Sequence, residues 1–176
     1  DPMDLVFYLR DSEQDKVANQ NRVDLLTKYW AFALPIIQEK NDGNGCFKSC
    51  KPGPWNRMTG SFGISGFCIR CVASREEARV DFYLGKSDKS ENKSAYDYLM
   101  SYKDEIEDAL KIPLLWNRAD KYKASWVSYS LKNVSIANEA DWSRMAKFLA
   151  EWSKKYLDVI LPILQERYGE NAPDDI

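Results

Sequence analysis

Hydrophobic and polar positions along this chain change period several times, and each change marks an element. Val23, Leu26, Tyr29, Trp30, Ala33, Leu34 and Ile37 recur at steps of three and four, which predicts a helix over residues 19–40. The run Asn41-Asp42-Gly43-Asn44-Gly45 ends it. Residues 45–61 mix Gly, Pro and Ser around Trp55 and read as an ordered loop. Period two then takes over. A strand is expected over residues 62–73, a turn at Ser74-Arg75-Glu76-Glu77, and a second strand after it. In that second strand Val80, Phe82 and Leu84 point to one side and Arg79, Asp81 and Tyr83 to the other.

A polar loop at 85–90 leads to a helix whose expected cap is Ser90, with Lys93 where a capping box would hold Glu or Gln. This helix carries Tyr96, Leu99, Met100, Ile106 and Leu110 and stops before Pro113. Strands at 114–118 and 124–131 follow, and a last helix runs from about residue 138 to 168. The predicted order is α-β-β-α-β-β-α. The short turns make each strand pair an antiparallel hairpin, so the fold expected is α+β, with helices packed on a sheet of four to five strands. Residues 5–9, Leu-Val-Phe-Tyr-Leu, are read as an added edge strand. Three segments result: an N-terminal extension over 1–18, one α+β domain over 19–168, and a tail over 169–176. The opening Asp1-Pro2-Met3 reads either as a tag remnant before a native start or as the cut edge of a longer protein with a further N-terminal domain.

The terminal helices share a string. Lys28-Tyr29 and Leu34-Pro35-Ile36-Ile37-Gln38-Glu39-Lys40 recur as Lys155-Tyr156 and Leu161-Pro162-Ile163-Leu164-Gln165-Glu166-Arg167. The segments between do not repeat, so the string is taken as equivalent turns of two helices sharing one core, each with a kink or break at its proline. Trp142, Met145, Leu149, Trp152, Tyr156, Val159 and Ile163 form a packing seam. That seam serves either the core or a homodimer built through the C-terminal helix.

Composition narrows the chemistry. The chain has 176 residues, 13% of them aromatic, and a net charge of −2, so no global field draws it to nucleic acid or membrane. Any such contact needs a local patch. There is no histidine, which removes His-based nucleophile pairs and His-ligated zinc. No apolar run reaches bilayer length and no leader pattern opens the chain, so the expected location is the cytoplasm, with no membrane contact.

Three constellations carry candidate chemistry. Cys46, Cys50, Cys68 and Cys71 have the spacing of a zinc site. Cys68 and Cys71, however, fall three apart in one strand and face opposite ways, so free thiols are expected. Asp81 with Glu91 and Lys93 matches the acidic and E-x-K elements of Mg²⁺-dependent nucleases. That motif needs a strand, and here it lies at a helix start, so no catalytic residues are assigned and the nuclease stays an alternative. The third is the polar sheet face. Arg70, Arg79, Asp81, Tyr83 and Trp126 share one side by alternation, with Lys93 nearby. This mix resembles platforms on which bases stack and phosphates pair. The competing reading puts a helix across the face, with Asp81 paired to Arg70 or Arg79 and Trp126 in the core. Arg118, Lys121, Lys123 and Lys86 would form a basic rim.

The order of RVDFYLG, ENKSAYDYL, KDEIEDAL, LLW and KYKASWVSYSL, followed by a helix opening Asp141-Trp142, resembles the domain-of-unknown-function family numbered 4268, a bacterial and archaeal domain. The resemblance runs from about residue 22 to 163. Where that pattern has a Ser-Arg pair in the last strand, this chain has Ser125-Trp126. The resemblance implies an accessory module of a prokaryotic defence or DNA-processing protein, attached to nuclease-like domains. Together these readings lead to a non-catalytic module that contacts nucleic acid or a partner protein domain through its charged and aromatic sheet face.

Overall fold

The computed structural model describes residues 2–170. Helix α1 spans Pro2–Lys40 and is followed by β1 (Arg57–Gly60), β2 (Phe67–Ala73) and β3 (Glu77–Leu84). Helices α2 (Lys89–Met100) and α3 (Lys103–Leu110) come next, then β4 (Leu115–Asn117), β5 (Ser125–Lys132), a 3₁₀ turn at Glu139–Asp141, and α4 (Trp142–Tyr168). The strands form one antiparallel sheet in the order β1-β2-β3-β5-β4. The fold is α+β, and the two expected hairpins are β2–β3 and β4–β5.

Packing follows the periodicities. Ile69, Cys71, Val80, Phe82, Leu84 and Val127 on one sheet face are fully buried. Helix α4 lies on them across β2, β3 and β5, and α1 packs on α4. The shared string does what equivalent turns should do. Tyr29 and Tyr156 are both buried, as are Ile37 and Leu164. A polar link fixes the pair, Asn41 Nδ2 donating to Ser153 Oγ at 2.9 Å. Both helices run on past Pro35 and Pro162 without a break. Much of the α4 seam packs into the core of the chain. Trp142, Met145, Leu149 and Tyr156 are buried, and Trp152 packs edge-on against Tyr129 with ring centroids 4.6 Å apart.

Several boundaries differ from expectation, each for a local reason. Residues 5–9 belong to α1 and not to an edge strand, because a five-residue apolar run suits a helix segment as well as a strand. The strand expected from residue 62 begins at Phe67, since Gly63 (φ 85) and Gly66 (φ 83) turn the chain first. The cap of α2 is Asp88 rather than Ser90. Its carboxylate accepts from the backbone N–H of Ser90 at 2.7 Å and of Glu91 at 3.3 Å, which puts Glu91 at the third helical position. The helix expected to run through to Leu110 divides at Ser101-Tyr102, where the Ser101 hydroxyl bonds back to the Tyr98 carbonyl at 2.6 Å. Inside the loop expected at 45–61 lies β1, whose alternation buries Met58 and Gly60 and exposes Arg57 and Thr59. Gly60 is required there. A Cβ would stand 2.9 Å from both Ile69 Cγ2 and Phe47 Cε1.

Candidate functional site

The helices leave one sheet face to solvent. Contacts of α2 and α3 with the sheet include Tyr96 on Trp116 and the Trp116 indole N–H on Glu107, on the core side with α4. On the opposite face, register aligns Thr59, Arg70, Asp81, Ser128 and Leu115 in one row across all five strands. Adjacent rows hold Arg57, Val72, Arg79 and Ser130, and Cys68, Tyr83, Trp126 and Asn117. Arg70, Arg79, Tyr83 and Trp126 are half-buried, and Leu115 is 66% exposed. Water therefore reaches this face, and no helix among the described residues lies across it.

Beneath that surface sits a dry carboxylate. Asp81 is fully buried and both its oxygens are engaged. Arg79 Nε donates to Oδ1 at 2.8 Å, Ser128 Oγ donates to Oδ1 at 2.6 Å, and Arg70 Nη2 donates to Oδ2 at 3.2 Å. Arg79 Nη1 also reaches Glu77 Oε1 at 2.8 Å. Lys132 closes the chain on the other Glu77 oxygen. The pairing expected of Asp81 with Arg70 or Arg79 thus occurs with both, while the face itself stays open.

Burial alone would raise the Glu77 carboxyl, but the hydrogen bond from Lys132 and the charge of Arg79 outweigh it and hold the group below its ordinary 4.5. A carboxyl depressed in the folded state contributes stability that is complete above its unfolded value and is lost as pH falls through the lower folded one. Melting temperatures measured from about pH 6 down to about pH 3 should therefore fall more steeply for the native chain than for Glu77→Gln. Parallel curves would show that Glu77 is not linked to folding.

Above the ion network is an aromatic surface. The Arg70 guanidinium stands 3.9 Å over the Tyr83 ring. Tyr83 and Trp126, opposite one another on β3 and β5, lie within 20° of parallel with centroids 6.4 Å apart. At that separation and angle the pair falls in the offset-parallel range, so the two rings form a step.

Lys93 does not join this face. It is 7% exposed, and its ammonium donates to the carbonyls of Arg118 (2.6 Å), Ala119 (2.9 Å) and Ala124 (2.8 Å) and to Ser125 Oγ (2.9 Å). Asn92 beside it is fully buried. It accepts from the Lys86 N–H and donates to the carbonyls of Lys86 and Lys123. Asn92-Lys93 is thus a clamp that ties the start of α2 to the β3–α2 and β4–β5 loops. Burial pulls the Lys93 pKa below its ordinary value. Glu91 is exposed in the first turn of α2, while Asp81 is enclosed by its arginines. Among the described residues no group of three or more His, Cys, Asp or Glu converges as a metal site would require. Cys68 opposes Tyr83 on the open face and Cys71 opposes Val80 in the core, so the two thiols diverge; all four cysteines are free.

Of the expected basic rim, Arg118 is held by Asp97 through two bonds of 2.9 and 3.0 Å and also pairs with Asp120. Lys86 covers the rings of Phe67 and Tyr168. The residues that sequence reasoning missed lie at the opposite edge. Arg57 and Thr59 of β1 extend the open face, and the exposed Trp55 precedes them. The alternation of Arg57-Met58-Thr59-Gly60 was the available signal.

A family model described as a domain of unknown function (DUF4268) matches residues 25–163. The chain belongs to the DUF4268 family. The match takes in the sheet, the clamp and most of α4, so the open face and its ion network are parts of this DUF4268 domain and not of an appendage. No curated protein and no solved structure matches the chain. No helix among the described residues is long and apolar enough to cross a membrane.

Proposed function

We propose that this DUF4268 domain is a non-catalytic binding module whose open sheet face takes single-stranded nucleic acid, as an accessory part of a prokaryotic DNA-processing or defence assembly. The observation that carries the proposal is the side-by-side arrangement of Tyr83 and Trp126, near-parallel on a sheet face that no helix among the described residues covers, with a guanidinium already seated on one ring. Unpaired bases offer flat π surfaces that stack on such a step whatever their sequence, each contact being worth about 1–3 kcal/mol. A duplex keeps its bases stacked internally and has no comparable use for it. The ion network holds the two strands that bear the rings, and so fixes the step before any ligand arrives.

The test is fluorescence anisotropy with labelled oligo(dT) and oligo(U) of about twelve nucleotides, from about 50 to about 200 mM salt. Binding should weaken with salt, and Trp126→Ala should weaken it about tenfold, the loss of one stacked base. Absence of binding at the lowest salt, or affinity unchanged by Trp126→Ala, would overturn the reading.

A further inference from the structure

Resting on that reading, we infer that the strand path continues past the β1 edge into a basic groove, and that the groove rather than the sheet face supplies the phosphate contacts. The groove is lined by Arg22 of α1, Lys51, Trp55 and the β1 residues Arg57 and Thr59, and no Asp or Glu lines it. Arg22, Lys51 and Arg57 are exposed, and none makes a salt bridge among the described residues. Three uncompensated cations in one groove are a strong local excess on a chain whose net charge is −2. The sheet face differs. Its Arg70 and Arg79 are already committed to Asp81 and Glu77, so they have little charge left for a phosphate, and Arg70 is seated on the Tyr83 ring.

Trp55 gives the groove a second recognition element. Its indole is 57% exposed, yet it is not loose. Its carbonyl accepts the Trp30 indole N–H at 2.6 Å, and its ring packs so closely over Gly53 that a Cβ there would sit 2.1 Å from it. A held, exposed tryptophan among unpaired cations suits a ligand that alternates flat rings with negative charge. Groove and face are continuous, because Arg57 and Thr59 belong to both: Arg57 opposes Val72 in the row of Arg79, and Thr59 opposes Arg70. From β5 to β1 is three strand spacings of about 4.8 Å, or about 14 Å. At about 3.4 Å per stacked nucleotide the face holds about four nucleotides, and only a longer strand reaches Trp55.

The discriminating experiment compares labelled oligonucleotides of about four and about ten nucleotides, as DNA and as RNA, on the native chain, on Trp55→Ala, on the double variant Arg22→Ala with Lys51→Ala, and on Trp126→Ala. Circular dichroism confirms folding in each case. The groove variants should weaken the longer strand about tenfold and leave the shorter one unchanged. The double variant should also lower the slope of log affinity against log salt by about two. Trp126→Ala should weaken both lengths. The DNA and RNA arms show which polymer is preferred, and either supports the inference. Groove variants that leave the longer strand unaffected, or that weaken both lengths equally, overturn the extended path while the sheet-face reading stands. Failure of both lengths to bind the native chain overturns the two together.

Discussion

Replacing Asp81 with alanine should cost about 3 kcal/mol of folding stability, at the low end of the range for breaking a buried ion pair. The loss comes less from the missing attraction than from what stays behind. Arg70 and Arg79 converge on the carboxylate from two strands, and their side chains are only 14% and 31% exposed. Without Asp81 two like charges remain close together in a poorly hydrated layer, and Ser128 loses its acceptor. Partial exposure lets the arginines swing toward water, which sets the estimate at the low end. Asp81→Asn, which keeps the shape and an acceptor but not the charge, should cost roughly half as much. Urea denaturation of the three proteins checks this. A loss below about 0.5 kcal/mol for alanine, typical of a plain surface change, would show that the network contributes nothing to the fold.

Lys93→Met should be comparably destabilising, at about 3 kcal/mol, although a helix-start lysine ordinarily costs almost nothing to replace. Three backbone carbonyls and the Ser125 hydroxyl lose their shared donor, and each buried polar group left without one costs about 1–3 kcal/mol. Some of the carbonyls recover water as the loop loosens, which keeps the total below the sum. Lys93→Arg should fail to rescue, because a planar guanidinium fork cannot fill the point at which three carbonyls meet. That separates the clamp from a role in which positive charge alone matters. Proteolytic cleavage in the loop between β4 and β5 should rise in both variants. Uncleaved loops with an unchanged urea midpoint would remove the clamp.

The same residue shows where sequence reasoning loses its grip. Periodicity located both faces of β3, since Val80, Phe82 and Leu84 are buried and Arg79 and Tyr83 are partly exposed as alternation requires. It also found both hairpins and the shared core of the terminal helices, because these depend on local spacing. Lys93 depends on carbonyls 25 to 31 residues away, and no local pattern shows that a distant loop will close over an ammonium. Strand β1 escaped for another reason. Its four residues follow a Pro- and Gly-rich segment that reads as loop, and the glycine that ends it is there for close packing and not for a turn. The basic groove was hidden with it, because Arg22, Lys51 and Arg57 are scattered in sequence and meet only once β1 has taken the sheet edge.

The Asp81 network has a consequence for how the chain finds its native pairing. A shift of β3 by one residue against its neighbours would exchange its two faces. The carboxylate would then enter the layer that now holds Val80 and Phe82 beneath α4, away from Arg70 and Ser128, and would carry Arg79 with it. One acid on the central strand, matched to an arginine on β2 and a serine on β5, makes a one-residue slip cost the burial of an ion pair in the apolar layer. The network therefore acts as a register mark for the sheet, favouring the native alignment of β3 over a one-residue slip.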